Sequence, residues 1–338
     1  MSCPPILFLV FNRPDTTARV VEAIRAARPT RLYIAADGPR ADRHEEAERC
    51  AEARRIATGV DWPCEVTTLF RDQNLGCRRA VFEAISWFFE REPEGIILED
   101  DTLPDPTFFT YCAALLDRYR DDGRVMAVCG GGYGRVDRFG GSSYAFSRVF
   151  DPWGWASWRR AWQKHDHSFD GLDAFSSRLH SIGPRGFDCG RYWLSQFKDT
   201  ESGIVDTWDY PWMFSIFKMG GLVAYPATNL ISNLGFRADA THTLPRANGE
   251  RSPVAELPTS PLSFPLSHPL RVRNNLGFEV DFYKLRLGLK RMSPLGEVQL
   301  AAQRKIAAAR AKASPYIPAQ FKAHLRAWRA RRAATTSN

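Results

Sequence analysis

Gly95-Ile96-Ile97-Leu98 runs without a break into Glu99-Asp100-Asp101. An apolar run this short, bounded by polar residues, reads as a strand buried on both faces. Three acids directly after it concentrate negative charge at the strand's carboxyl end. Outward from this point the first 130 residues alternate regularly. Ile6–Phe11, Arg31–Asp37 and Glu65–Phe70 read as earlier strands and Val125–Cys129 as a later one, separated by helices over about 14–28, 40–57, 77–91 and 106–120. Pro14 and Pro106 suit first helical turns, and Gly38-Pro39 and Asn74-Leu75-Gly76 supply turns. Strands alternating with helices predict an α/β fold, Rossmann-like, with a mostly parallel central sheet flanked by helices. Such sheets bind ligands beyond the carboxyl ends of their strands, which singles out Asn12-Arg13, Asp37-Gly38, Arg71–Gly76 and Glu99-Asp100-Asp101.

The rest of the chain is less regular. Short helices are expected at Trp155–Trp162 and Asp209–Phe217, loop from about 238 to 270, and helix again from about 281 to 332, broken near Pro294, Pro315 and Pro318. The expected organisation is a body over 1–245, divided near residue 130, then an irregular segment (246–280) and a basic helical tail (281–338). Charge divides along the same line. From Lys284 to Asn338 there are 13 Lys/Arg and one acid, so the remaining 283 residues carry a net −4 although the chain's formal charge is +8. A mildly acidic body does not suit a chain that coats itself in nucleic acid. The longest early apolar run, Ile6–Phe11, is far short of the roughly 20 residues of a spanning helix, and no signal-peptide pattern is present. Seven irregularly spaced cysteines make no zinc or disulfide framework. A cytoplasmic protein is the expectation.

Adjacent ionised acids repel, so the Glu99-Asp100-Asp101 corner is costly unless a cation or donor groups offset it. Mg²⁺ or Mn²⁺ favours one or two carboxylates plus diphosphate oxygens. The competing reading is a solvated acidic turn capping the helix that starts at Pro106.

The run Ile96-Ile-Leu-Glu-Asp-Asp-Thr-Leu-Pro-Asp-Pro-Thr-Phe-Phe-Thr-Tyr111 resembles the acidic metal motif and following helix of GT-A glycosyltransferases, closest to the N-acetylglucosaminyltransferase I type. Phe11-Asn-Arg-Pro14, Asp37-Gly38, Arg71 with Asn74-Leu75-Gly76, and Phe150-Asp-Pro-Trp-Gly-Trp-Ala-Ser-Trp158 resemble further segments of that family in the same order. The resemblance covers roughly residues 6–243 and implies a glycosyltransferase domain over 1–245 with a nucleotide-sugar-binding half (1–130) and an acceptor half (131–245); the basic tail has no counterpart in it. It implies Asp101 as the principal Mn²⁺ ligand, Asp100 near the donor ribose, Glu99 near the transferred sugar, Arg13 approaching the donor nucleotide, Asp37 accepting from the base ring, and Arg71 in the donor-binding segment before the metal motif.

Asp206-Thr-Trp-Asp209-Tyr-Pro-Trp212 places two carboxylates among aromatic rings before an apolar helix. Inverting glycosyl transfer needs a general base for the acceptor hydroxyl, and shielding by Trp rings raises a carboxylate's pKa toward a useful value. Asp209 matches the family's base position best, with Asp206 in reserve; either could instead cap the helix over Trp212–Phe217. His242, in Ser232–Thr243, resembles the late histidine that completes the metal shell in many GT-A enzymes, although a lone loop histidine can also be merely solvated. Arg237 could balance diphosphate charge nearby. Gly130–Gly134 lacks the Lys-Ser/Thr of a phosphate-binding loop, and His165-x-His167 reads as an exposed turn. Trp153, Trp155, Trp158 and Trp162 read mostly as core.

The expectation is a metal-dependent (Mn²⁺ or Mg²⁺), inverting glycosyltransferase that moves a sugar from a nucleotide-diphosphate donor, by default UDP-N-acetylglucosamine, to a glycan or lipid-linked acceptor in surface-polysaccharide assembly. The basic tail could lie on the anionic inner face of a membrane or stay solvated. Two alternatives stand beside it. A nucleotidyltransferase acting on sugar phosphates would use a similar sheet and acids, and a non-catalytic nucleotide-sugar or glycan-binding protein would keep the fold alone.

Overall fold

The computed structural model describes residues 2–43, 45–179, 181–236 and 254–313. Arg237 and His242 lie outside the described residues, as do the expected 245/246 boundary and the tail beyond 313.

Three βα repeats open the chain: β1 (Ile6–Val10), α1 (Pro14–Ala27), β2 (Arg31–Ala36), α2 (Glu46–Ala57), β3 (Glu65–Phe70) and α3 (Cys77–Arg91). Then come β4 (Glu94–Glu99), β5 (Thr102–Pro104), α4 (Pro106–Arg118), β6 (Val125–Cys129), β7 (Tyr144–Ser147) and β8 (Trp155–Trp158). The helices α5 (Arg159–Trp162), α6 (Leu172–Leu179), α7 (Cys189–Glu201) and α8 (Asp209–Met219) follow. The last elements are β9 (Leu222–Pro226), β10 (Ile231–Asn233), α9 (Leu276–Leu285) and α10 (Pro294–Ala313). These form two compact units, one of Met1–Asp170 with Ser195–Lys290, the other of Gly171–Leu194 with Arg291 onward.

The first unit holds an eight-stranded sheet in the order β3-β2-β1-β4-β8-β6-β9-β7. β3, β2, β1 and β4 are mutually parallel, as are β6 and β9, while β8 runs antiparallel to both its neighbours and β7 to β9. This is the α/β, mostly parallel, Rossmann-like sheet expected. The chain adds β2 and β3 on one side of β1 and then crosses to add β4 on the other. The crevice between β1 and β4 is therefore a topological switch point, where the loops above the sheet diverge. Ile6, Leu7, Phe8, Ile96, Ile97 and Leu98 are fully buried, consistent with central strands covered on both faces.

Three expectations need correction. Helix α2 begins at Glu46 rather than near Arg40, because Arg40 turns its backbone N–H and guanidinium onto the buried Glu46 carboxylate. Trp155–Trp158 is a strand, with helix only from Arg159. It pairs β4 on one side (Glu94 opposite Trp158) and β6 on the other (Cys129 opposite Trp155), so all four residues are buried and no period-2 signal survives. The late helical stretch starts at Leu276 rather than near 281, where Asn275 caps α9 by accepting from Phe278 N–H at 3.0 Å, and after a break from Leu285 to Pro294 it resumes as α10.

Among the described residues no helix is long and apolar enough to cross a membrane.

Candidate active site

The switch point carries a cavity of about 550 Å³, with walls from the loops that follow β1, β2, β3 and β4 and from the approach to α8. Glu99 ends β4, and the turn behind it is locked: Glu99 N–H donates to Thr102 Oγ1 (2.9 Å), whose hydroxyl donates back to the Glu99 carbonyl (3.0 Å). Asp100 and Asp101 are buried, at 6% and 9% exposure. Asp105, not the triplet, caps α4 by accepting from Thr107 N–H at 2.9 Å. The solvated-cap reading of the triplet is therefore wrong.

What offsets the acids is sparse. Phe11 N–H donates to Asp100 Oδ2 at 2.9 Å. Arg13 Nη1 donates to Asp101 Oδ2 at 2.6 Å and lies 3.9 Å from Asp100 Oδ1. Burial, then Asp101, pushes Asp100 above the ordinary carboxylate range, and Glu99 is pushed well above it by burial and by Asp101, Asp100 and Asp209. Burial raises Asp101 as well, opposed by Arg13. Glu99 thus feels three other carboxylates, and among the described residues Arg13 is the guanidinium paired with the triplet.

A second, two-stranded sheet closes in behind. β10 pairs antiparallel with β5, and Leu234 N–H donates to the Asp101 carbonyl at 2.7 Å. Gly235 then passes so close that a Cβ there would stand 2.2 Å from Asp101 Oδ2.

The other expected residues fall around the same cavity with differing duties. Asp37 accepts from Gly38, Leu75 and Gly76 N–H and from Asn74 Nδ2, all within 3.2 Å. Those four donors use the acceptor positions that a base ring would need, so Asp37 clamps the 74–76 turn rather than presenting a free carboxylate. Arg71 lines the cavity while paired to Glu83 at 2.9 Å. Asp206 accepts from Cys77 and Arg78 N–H (2.9 and 3.2 Å) and so satisfies the amino end of α3. It caps a helix, but not the expected one. Asp209 is the first residue of α8 and lines the cavity, with Thr207 Oγ1 donating to its Oδ1.

Sequence reasoning missed Arg40 and Arg286. Arg40 and Asn12 (Nδ2 to Glu46 Oε1, 2.8 Å) are tied together through Glu46. Arg286, which the charge count assigns to the tail, reaches the cavity wall from the end of α9, with Nε 2.8 Å from Asp151 Oδ1 and Cζ 3.8 Å from the Trp153 ring centre. No local motif marks these long-range pairings. His165-x-His167 is not an exposed turn. His165 lies parallel to Trp212 with ring centres 5.8 Å apart, and both its nitrogens are buried.

Among the described residues no three His, Cys, Asp or Glu side chains gather in metal-holding geometry. The donor chemistry nonetheless suits a hard divalent cation, which uses one or two carboxylates and takes its remaining ligands from phosphate and water.

No protein-family model matches this chain, and no curated protein matches it. Among solved structures it is similar to HddC from Yersinia pseudotuberculosis, at 12% identity over 46% of this chain and 77% of that one, with a TM-score of 0.30. It is also similar to the 4-diphosphocytidyl-2C-methyl-D-erythritol synthase of Anaerococcus prevotii, at 7% identity over 67% and 89% of the two chains and a TM-score of 0.34. A third likeness is to a UDP-glucose pyrophosphorylase complexed with UDP-glucose, at 12% identity over 44% and 64% and a TM-score of 0.25.

Proposed function

We propose that this chain is an enzyme acting on nucleotide sugars, which binds a nucleoside diphosphate moiety and a divalent cation at the switch-point cavity. The observation that carries the proposal is the burial of Asp100 and Asp101 beside Glu99, with Arg13 against them. Buried acids at the carboxyl edge of a parallel sheet hold an unfavourable charge that a divalent cation and its diphosphate would relieve. Asp101 and Asp100 would hold the cation, which would supply Lewis-acid neutralisation of the diphosphate's charge.

The chemistry we favour is glycosyl transfer by a GT-A-type enzyme. Its support is Asp209, a carboxylate on the same cavity at the start of α8. Asp209 accepts the acceptor's hydroxyl proton as that oxygen bonds to the anomeric carbon. The bond from that carbon to the diphosphate oxygen breaks with its electron pair leaving on the diphosphate, and configuration inverts. Thr207 orients the carboxylate. The walls of Trp153 and Trp208 exclude water on the acceptor side.

A second reading is nucleotidyl transfer to a sugar phosphate. It is favoured by Arg13, Arg40 and Arg71, which reach the cavity from the loops after β1, β2 and β3 and would suit a triphosphate. Two features weigh against it: Arg40 and Arg71 are already engaged by Glu46 and Glu83, and only three residues separate β1 from α1.

Wild type and Asp101→Asn should be incubated with Mn²⁺ and either nucleotide sugars or nucleoside triphosphates with sugar phosphates. Melting temperature and released product would both be measured. Nucleoside diphosphate release marks glycosyl transfer, and pyrophosphate release marks nucleotidyl transfer. A Mn²⁺-dependent thermal shift in wild type that Asp101→Asn lacks is expected. No shift with any member of the panel, or an equal shift in the variant, overturns the proposal.

A further inference from the structure

Arg13 sits where a bound cation would have to sit. Its Nη1 is 2.6 Å from Asp101 Oδ2 and 3.9 Å from Asp100 Oδ1, and both side chains of the shorter pair are only 13% exposed. The backbone beneath it is fixed, since the Arg13 carbonyl accepts from Thr17 N–H (3.0 Å) and Thr17 Oγ1 (2.7 Å) in the first turn of α1. Any movement is therefore left to the side chain. The other two arginines of these loops hold different partners, Arg40 on Glu46 and Arg71 on Glu83. Arg13 alone of the three is paired to the acids from which a metal would be held.

We infer that Arg13 is a stand-in cation, a positioning residue that neutralises Asp100 and Asp101 until a divalent ion arrives and then transfers its guanidinium to the diphosphate oxygens. The inference rests on the donor reading above. A guanidinium and a divalent cation repel at contact distance and cannot share one buried carboxylate oxygen. A cation binding alone must evict Arg13 from Asp101 and Asp100. A cation binding with a diphosphate gives Arg13 a planar, multiply charged acceptor in exchange, the geometry guanidinium suits best. Cation and diphosphate thereby bind cooperatively, each raising the other's affinity by the same factor.

The test is calorimetric titration of Mn²⁺ into the full chain, with and without UDP or GDP, for wild type, Arg13→Gln and Arg13→Lys. Arg13→Gln should bind Mn²⁺ alone about tenfold tighter than wild type, the scale of one ion pair no longer competing. The gain that the nucleotide gives to Mn²⁺ affinity should shrink toward onefold in that variant. Its metal-free melting temperature should fall and rise further with Mn²⁺ than that of wild type. A merely structural arginine would not tighten metal binding on removal. Mn²⁺ affinity in Arg13→Gln equal to or weaker than wild type, while Asp101→Asn loses Mn²⁺, leaves the metal site standing and overturns the inference. No Mn²⁺ uptake by wild type or Arg13→Gln under any condition overturns the donor reading and the inference with it. If Arg13→Gln does not fold, Arg13→Lys keeps the charge but not the planar fork; an unchanged nucleotide effect on Mn²⁺ affinity there overturns the inference.

Discussion

Asp206, in the α7–α8 connection, and Asp209, the first residue of α8, stand three positions apart, and their side chains have different surroundings. The first spends its carboxylate on two backbone N–H groups at the start of α3, across 128 residues of sequence. Gly76, at φ +81°, permits this approach, since a Cβ there would stand 2.8 Å from Asp206 Oδ2. The second is held by a hydroxyl two residues away and lines the cavity. Substituting each tests the division. Asp206→Ala removes a helix cap and should cost about 1 kcal/mol of stability, seen as a lower melting temperature, while turnover falls much less than in the other variant. Asp209→Asn leaves the fold alone and should lower kcat about 10²- to 10⁴-fold, the range for loss of a general base. Steady-state kinetics with the donor found above reads both, and equal kcat losses would refute the assignment.

At the scale of elements, legibility followed burial pattern. β1, β2, β3, β4, β6, α1, α3 and α4 lie within two residues of where hydrophobic runs and turn residues put them, because each is a repeat of one strand-and-helix unit with its own punctuation. The acid triplet was readable for the same reason: a charge cluster straight after an apolar strand has few local explanations. β8 was not readable, because four buried residues in a row carry no period, and Trp at three- and four-residue spacing mimics a helix face. β10 and its pairing with β5 were hidden too, being three residues of ladder between segments about 130 positions apart. Yet that short ladder decides how close the backbone comes to Asp101. Gly235→Ala should therefore displace the Asp101 carboxylate, since its Cβ would fall 2.2 Å from Oδ2. Mn²⁺ binding measured by calorimetry should weaken about tenfold or more, one carboxylate contact's worth on the scale of charge-assisted bonds, while circular dichroism stays that of wild type. Unchanged Mn²⁺ affinity would show that the close approach of Gly235 is incidental.

At the scale of the whole molecule, proton binding ties the aromatic centre to stability in the opposite sense from the acids. His165 is pushed down to about 3 from an ordinary 6.5 by burial and then by His167, with Asp166 opposing. The unfolded chain therefore takes up a proton near pH 6.5 that the folded chain refuses until about pH 3. Stability from this group is complete above 6.5 and declines as pH falls through that window, with nothing further lost below it. Between pH 7 and 5 the loss is about 2 kcal/mol. Glu99 and Asp100, raised by burial, work the other way: the folded chain binds their protons more readily, so acidification favours it. A single melting curve against pH mixes the two contributions. The difference between wild type and His165→Phe isolates the histidine, because phenylalanine keeps a ring against Trp212 and removes only the titration. In metal-free buffer the variant should lose less stability than wild type between pH 7 and 5, by that same margin. Parallel curves over the interval would mean that His165 titrates alike in both states and that its stack on Trp212 admits the charged ring.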